Sequence, residues 1–130
     1  MPSHEQMIAA VHAYVDAFAK EDSDAIARLY AGDATVEDPI GAPVHRGIDA
    51  IRKFYAMAIA TRAKLTLNGP VRTAGDIAAF AFSVHLTMAG SPYRIDVIDT
   101  FQFDANGKIA EMRAFWGPLN VHQLEVTGDS

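Results

Sequence analysis

The sequence predicts an α+β fold in which three N-terminal helices pack on a strongly curved, mostly antiparallel β-sheet. Apolar residues recur at helical intervals up to about residue 60, whereas from Lys64 onward they alternate with polar residues, as in strands. The alternating part is interrupted at Gly75-Asp76, at Gly90-Ser91-Pro92 and at residues 104–107, which have the composition of hairpin turns. Helices followed by a meander of strands are typical of α+β domains.

Length and charge limit the possible architectures and partners. The chain has 130 residues and a net charge of −5, with 11 Lys and Arg against 16 Asp and Glu. This length fits one domain, residues 1–130, with a single core, and we expect the weakly patterned tail, residues 121–130, to be mobile. The absence of a basic run makes nucleic acid and anionic membranes poor candidate partners.

Several kinds of site are also excluded by composition. Cysteine is absent, which rules out disulfides, a thiol nucleophile and a thiolate metal site. None of the five histidines has metal-ligand spacing, and we expect no metal. The N-terminus lacks a basic segment followed by an apolar one, and no apolar run approaches the ~18 residues of a membrane span. We therefore expect a cytoplasmic protein.

The helical part divides into three helices. Ser3 begins a capping box, and the first helix extends to Lys20. Asp22 or Ser23 can cap a shorter second helix, and a third follows Gly47. The apolar stripes of these helices are, in order, Met7, Val11, Tyr14, Val15 and Phe18; Ile26, Leu29 and Tyr30; and Ile48, Ile51, Phe54, Tyr55, Ala58 and Ile59.

A short strand between the second and third helices carries a carboxylate. The second helix is predicted to end near Tyr30, the strand to cover Thr35 to Asp38, and Pro39 to stop it. Alternation places Val36 and Asp38 on one face, so Asp38 ends an apolar face. Aspartate before proline is also a common turn former, which leaves a purely structural role open.

A second carboxylate, Asp99, interrupts the apolar face of the predicted strand Ile95–Phe103. The neighbouring strands have apolar faces too, and together these faces line one cavity or core. They carry Phe80, Phe82, Val84, Leu86 and Met88 on one strand and Ala110, Met112, Ala114 and Trp116 on the last. In such surroundings Asp99 must pair with a cation such as Arg72 or Arg113, reach water, or keep its proton through a raised pKa.

Tyrosine hydroxyls face the same interior as the two carboxylates. Tyr14, Asp38 and Asp99 come from three separate elements, and Tyr30 and Tyr55 are also on inward stripes. A tyrosine on a helix stripe is often a core residue whose hydroxyl is bonded to a neighbour. Convergent polar groups in an apolar pocket are, however, the usual pattern of a small-molecule site.

Together these residues resemble the bacterial Δ5-3-ketosteroid isomerases, cone-shaped members of the NTF2-like (SnoaL-type) superfamily. The resemblance extends from the first helix through Asn120. Its most specific parts are Tyr30-Ala-x-Asp-Ala-Thr-Val-Glu-Asp-Pro-x-Gly41, Ile51-Arg-x-Phe-Tyr55, Ile98-Asp99 and Met112-Arg-Ala114.

The resemblance implies roles for the polar residues. Asp38 matches the family's general base, Tyr14 matches the hydroxyl donor of its oxyanion hole, and Asp99 matches the protonated carboxylic acid that donates beside it. Tyr30 and Tyr55 match the tyrosines hydrogen-bonded behind the first. This family is a standard illustration of pKa tuning, so the roles of the two aspartates come from the resemblance and not from their spacing.

The implied reaction is the isomerisation of 3-oxo-Δ5-steroids to 3-oxo-Δ4-steroids. A proton moves from C4 to C6 through a dienolate, and no cofactor is needed. The apolar residues expected to bury the small-molecule steroid are Phe54, Phe82, Val84, Phe101, Met112 and Trp116.

Two other functions fit the same cone. One is a non-catalytic carrier or sensor of hydrophobic polycyclic molecules, and the other is a polyketide cyclase that uses Asp38 as its base. The resemblance also implies a homodimer formed through the outer face of the sheet, where Ile98, Phe115 and His85 are predicted to lie.

Overall fold

The computed structural model describes residues 2–125. In this part of the chain the helices are α1 (His4–Ala19), α2 (Ser23–Ala27) and α3 (Ile48–Ala60). The strands are β1 (Tyr30–Glu37), β2 (His45–Arg46), β3 (Lys64–Leu67), β4 (Arg72–Ala74), β5 (Ile77–Met88), β6 (Ser91–Phe103), β7 (Ile109–Phe115) and β8 (Val121–Gln123), with one 3-10 turn at Pro118–Asn120. The predicted α+β class is confirmed.

The sheet is organised around its two longest strands. β5 and β6 form an antiparallel hairpin that pairs Ile77 with Gln102 at one end and Met88 with Ser91 at the other. The strand order is β2-β1-β7-β6-β5-β3, with β4 also paired to β5 and β8 to β6. β1 and β7 run parallel, whereas the other pairs are antiparallel. The strand that leads to Asp38 therefore lies beside the strand that leads to Trp116.

Local signals set the starts of the helices where the sequence predicts them. Ser3 accepts a hydrogen bond from the Gln6 amide at 3.1 Å, and its own amide donates to the Gln6 side chain at 2.8 Å, which completes the capping box. Asp22 caps α2 by accepting from the Ala25 amide at 3.0 Å. Gly47, at the start of α3, has a φ of +84°, a conformation that favours glycine.

The core lies between the helices and one face of the sheet. The predicted alternation on β6 is observed, because every second residue from Ile95 to Phe103 is buried. Other buried core residues are Met7, Val11, Tyr14, Phe18, Ile51, Tyr55, Phe80, Phe82, Met112 and Ala114. No helix within residues 2–125 is long and apolar enough to cross a membrane.

The predicted boundary between α2 and β1 is wrong. The helix ends at Ala27, and Tyr30 begins an eight-residue strand instead of ending a helix. Tyr30 pairs with Ile109 of β7, and the Ile109 amide donates to the Leu29 carbonyl at 2.9 Å. This pairing joins residues about eighty positions apart, so local periodicity does not reveal it.

Two predictions near the C-terminus are also wrong in detail. A register shift in β7 places Ile109 inside the core, where simple alternation predicts Ala110. Val121–Gln123, assigned to a mobile tail, instead forms β8 and pairs with the first half of β6. The rest of the predicted mobile segment, residues 126–130, lies outside the described residues.

Candidate active site

A cavity of about 110 Å³ opens between α1, α3 and the inner face of the sheet. Its polar groups come from both sides, and the rest of its surface is apolar. The lining residues are Tyr14, Phe18, Asp38, Phe54, Tyr55, Ala58, Ala63, Leu65, Phe82, Val84, Val97, Asp99 and Trp116. The structure thus brings Tyr14, Asp38 and Asp99 to one cavity from α1, the end of β1 and the middle of β6.

Asp99 lies at the centre of the sheet, opposite Phe80 of β5 and Ala114 of β7. Its side chain is 1% exposed, and its Oδ1 atom has no hydrogen-bond partner among residues 2–125. Burial raises the pKa of Asp99 well above its ordinary value, and the nearby Asp38 carboxylate raises it further. Both effects favour the protonated form of this carboxyl group, and a protonated carboxyl group is a hydrogen-bond donor.

The cationic partners considered for Asp99 are engaged elsewhere. Arg72 donates to the Pro70 carbonyl at 3.5 Å, and Arg113 lies 3.8 Å from the Glu37 carboxylate on the outer face of the sheet. Of the three possibilities raised by the sequence, the raised pKa is the one that the structure supports.

Asp38 has a different environment, because it follows the last residue of β1 at the edge of the cavity. The Trp116 indole Nε1 donates to its Oδ1 atom at 2.7 Å. Burial raises the pKa of Asp38, whereas the Trp116 hydrogen bond and the nearby His45 lower it. The Trp116 donor therefore stabilises the charged form of the Asp38 carboxylate.

The three tyrosines form a hydrogen-bonded chain behind the cavity. The hydroxyl oxygens of Tyr14 and Tyr55 are 3.1 Å apart, and the Tyr55 hydroxyl is also bonded to that of Tyr30. Burial is the largest cause that raises the pKa of all three phenols well above the ordinary value. They are therefore neutral donors. In this structure the Tyr14 hydroxyl donates to that of Tyr55. A phenol hydroxyl can both donate and accept, so Tyr55 can donate to Tyr14 instead when Tyr14 donates to a ligand.

The residues predicted to bury the steroid fall into two groups. Phe54, Phe82, Val84 and Trp116 line the cavity. Phe101 and Met112 are instead fully buried in the core behind it. The Phe101 ring lies edge-on to the Tyr14 ring, with centroids 5.0 Å apart, so it packs against Tyr14 and does not line the cavity.

The sequence reasoning missed five apolar lining residues and one polar contact. The lining residues are Phe18, Ala58, Ala63, Leu65 and Val97. Phe18 and Val97 carried a usable signal, because Phe18 shares a helical stripe with Tyr14 and Val97 shares a strand face with Asp99. No sequence signal indicated the hydrogen bond from Trp116 to Asp38, because this bond joins the ends of two strands that are far apart in the chain.

Residues 2–125 contain no group of three His, Asp or Glu side chains arranged to hold a metal ion. The His45 ring packs against Phe54, which lines the cavity, with ring centroids 4.7 Å apart and 41° between the ring planes.

Comparison with known proteins identifies the family of this chain. Residues 11–112 match the model of the SnoaL-like domain. The chain belongs to the SnoaL-like domain family. This SnoaL-like chain is 44% identical over 110 residues to the steroid Delta-isomerase of Nocardioides simplex, covering 85% of the chain and 89% of that protein. The resemblance inferred from the sequence is confirmed.

Two other similar proteins have different names. The chain is 26% identical over 126 residues to the epoxide hydrolase LasB of Streptomyces lasalocidi, an alignment that covers 80% of this chain and 45% of LasB. A solved structure of the epoxide hydrolase/cyclase-like enzyme SalBIII is similar with a TM-score of 0.90 and 25% identity, covering 95% of this chain and all of SalBIII. The cone is thus shared by proteins with different reactions.

Proposed function

We propose that this chain is a steroid Δ-isomerase that converts 3-oxo-Δ5-steroids to 3-oxo-Δ4-steroids. The observation that carries the proposal is the pair of carboxyl groups in one apolar cavity with opposite surroundings. Asp99 is fully buried, with an oxygen that has no partner in the described part of the chain, whereas Asp38 accepts a hydrogen bond from Trp116. The similarity to the Nocardioides simplex isomerase supports the same reaction.

In this proposal Asp38 is the base. Its carboxylate removes a proton from C4, and the C–H electrons form a new double bond while the C3 carbonyl becomes a dienolate. The protonated Asp38 then returns the proton to C6, and the double bond ends in conjugation with the ketone. No atom is gained or lost, so neither cofactor nor water is consumed.

The developing negative charge on the C3 oxygen is stabilised by two neutral donors, Tyr14 and Asp99. Neutrality matters because an ionised Asp99 would repel the charge that it must stabilise. Donors fixed in a dry, apolar site stabilise the dienolate more than the ketone, and this difference lowers the barrier. Tyr55 and Tyr30 hold Tyr14 through the hydroxyl chain.

The cavity can enclose part of a flat polycyclic substrate. The cavity volume, about 110 Å³, is smaller than the ~300 Å³ at the lower end for pockets that bind drug-sized ligands. We therefore propose that the cavity encloses only the reacting ring of the steroid. The remaining rings would lie along the half-buried apolar residues Phe54, Ala58, Leu65 and Val84.

We also propose that the protein forms a homodimer through the outer face of the sheet. Ile98 and Phe115 pair across β6 and β7 and are 50% and 44% exposed, so they form an apolar patch away from the cavity. Sedimentation of the wild type beside Ile98→Lys checks this point, since the charge would favour the monomer.

A cyclase is the second candidate, because the chain has the fold of SalBIII, which is described as an epoxide hydrolase/cyclase-like enzyme, and is also similar to LasB. A non-catalytic carrier of polycyclic ligands is the third. It has no use for a base and two neutral donors in one cavity, so the polar groups favour an enzyme over a carrier.

The test is an ultraviolet assay that follows formation of the conjugated enone from 5-androstene-3,17-dione. We expect rapid conversion by the wild type and a loss on the order of 10⁴-fold in Asp38→Asn, which removes the base. Asp33→Asn is the matched control, since Asp33 is exposed on the same strand. Near-normal turnover by Asp38→Asn would contradict the assignment of the base. No conversion by a folded wild type would favour the cyclase or the carrier.

A further inference from the structure

We infer that Glu37 is a positioning residue that fixes the proposed base from the outer face of the sheet. This inference depends on the proposed function, because it concerns the placement of Asp38 for proton transfer. Glu37 ends β1 and immediately precedes Asp38. Adjacent strand residues point to opposite faces, so the two carboxylates leave the backbone on opposite sides. Asp38 lines the cavity, whereas Glu37 lines a groove on the other face.

The Glu37 carboxylate closes the turn that carries Asp38. Its Oε2 atom accepts a hydrogen bond from the Gly41 amide at 2.9 Å, which spans the segment from Asp38 to Ile40. Within the same turn, the Ala42 amide donates to the Pro39 carbonyl at 2.9 Å. The first and last residues of the turn are therefore tied together by a side chain that does not enter the cavity.

The end of β7 holds the same turn at three points. Arg113 is the register partner of Glu37 and lies 3.8 Å from its Oε1 atom. The next carbonyl, that of Ala114, accepts from the Ile40 amide at 2.9 Å. Two residues later, Trp116 donates to Asp38. Glu37 and Trp116 thus hold the turn from opposite faces, and Asp38 lies between them.

This geometry has a catalytic consequence. The hydrogen bond from Trp116 to the Asp38 carboxylate fixes one oxygen without fixing the backbone that carries it. The bond from Gly41 to Glu37 restricts that backbone. Proton transfer depends steeply on distance and orientation, so a looser turn lowers turnover without removing any group that contacts the substrate.

The experiment compares Glu37→Ala with Glu37→Gln. Glutamine keeps an oxygen that can accept from the Gly41 amide but loses the charge that faces Arg113. Glu111→Ala is the matched control, because Glu111 is an exposed acidic residue that lines the same groove from β7. For each variant, kcat and KM for 5-androstene-3,17-dione, the Kd of 2-naphthol and hydrogen exchange of the Gly41 amide are measured.

We expect Glu37→Ala to lower kcat by about 10- to 100-fold, the scale of a misplaced catalytic group. KM and the Kd of 2-naphthol should change by no more than about twofold, since the binding groups are untouched. Glu37→Gln and Glu111→Ala should keep kcat near the wild type. The Gly41 amide should exchange faster in Glu37→Ala only.

Two results would overturn the inference and separate it from the proposed function. An active wild type with unchanged kcat in Glu37→Ala would overturn the positioning role alone. Equal weakening of 2-naphthol binding and kcat would show a general structural role and also overturn it. If the wild type itself shows no turnover, the proposed function fails first. The Gly41 exchange rates then still show whether Glu37 holds the turn.

Discussion

The two carboxyl groups of the cavity have the same chemistry but lie in two contrasting regions of the sheet. Asp99 occupies the middle of β6, with paired strands on both sides and no hydrogen-bond donor at Oδ1 within residues 2–125. Asp38 lies where β1 ends, in a turn, and accepts from the Trp116 indole. Burial raises both pKa values, but a donor opposes the rise only at Asp38.

The difference shows how a fold can give identical side chains opposite surroundings, as the proposed roles require. A strand centre excludes water and offers no free backbone donors, so it favours the neutral form of a carboxyl group. A strand end leaves room for a side-chain donor and for movement, so it can hold an ionised carboxylate that exchanges a proton. Substitutions near Asp99 and near Asp38 can change one of these two surroundings at a time.

The largest effect in this set should follow from removing the acid. Asp99→Leu keeps an apolar side chain at a fully buried site but removes a donor to the dienolate. We expect kcat to fall on the order of 10³-fold, as for loss of an oxyanion donor in other enzymes. Single-turnover enone formation measures the chemical step directly. A kcat within a few-fold of the wild type would show that Asp99 does not donate in the transition state.

The tyrosine chain should show a graded response. Tyr14→Phe removes the donor at the cavity and should lower kcat on the order of 10²-fold. Tyr30→Phe removes the far end of the chain and should cost about tenfold or less, because the Tyr14 hydroxyl remains. Steady-state kinetics of both variants give the comparison. Equal losses of kcat in the two variants would contradict the order in which the three tyrosine hydroxyls are linked.

At the strand end, Trp116→Phe should have a smaller effect on the maximal rate. The indole donor favours the charged form of Asp38, so its removal should raise the pKa of that carboxyl group. The acidic limb of the kcat/KM profile should then move to higher pH, with a loss of about tenfold or less at neutral pH. An unchanged profile would show that the hydrogen bond does not set the protonation of the base.

The last prediction concerns stability instead of activity, and it uses the variant Asp99→Asn. In the unfolded chain Asp99 ionises near pH 4, whereas in the folded chain it keeps its proton to higher pH. Between the two pKa values the folded state binds more protons, so the free energy of unfolding falls as the pH rises above about 4. The asparagine side chain does not titrate, so this contribution disappears in the variant.

Urea unfolding at several pH values between 4 and 8 measures this prediction. The wild type should lose stability relative to Asp99→Asn as the pH rises. Parallel curves for the two proteins would contradict a raised pKa for Asp99.

Much of the fold and the polar part of the candidate site could be predicted from local sequence. The period of two on β6 placed Asp99 on a buried apolar face, and the period of 3.6 on α1 placed Tyr14 on an inward stripe. The family resemblance then supplied the roles. Strand pairing could not be predicted this way, because the match of Tyr30 with Ile109 depends on distant residues.

The errors at the cavity wall have a similar origin. Alternation shows that Phe101 and Met112 face inward, but it does not show whether another side chain separates them from the cavity. Here the Tyr14 ring packs edge-on against Phe101. The hydrogen bond from Trp116 to Asp38 requires the ends of β1 and β7 to be parallel neighbours, which no local pattern indicates.

The most direct test of the contrast between the two carboxyl groups is a ¹³C NMR titration of protein labelled at the aspartate carboxyl carbons. Asp38→Asn and Asp99→Asn assign the two signals. We expect the Asp99 signal to have the chemical shift of a protonated acid at pH 7 and the Asp38 signal that of a carboxylate. An ionised Asp99 at pH 7 would contradict the account, because it could then not donate to the dienolate.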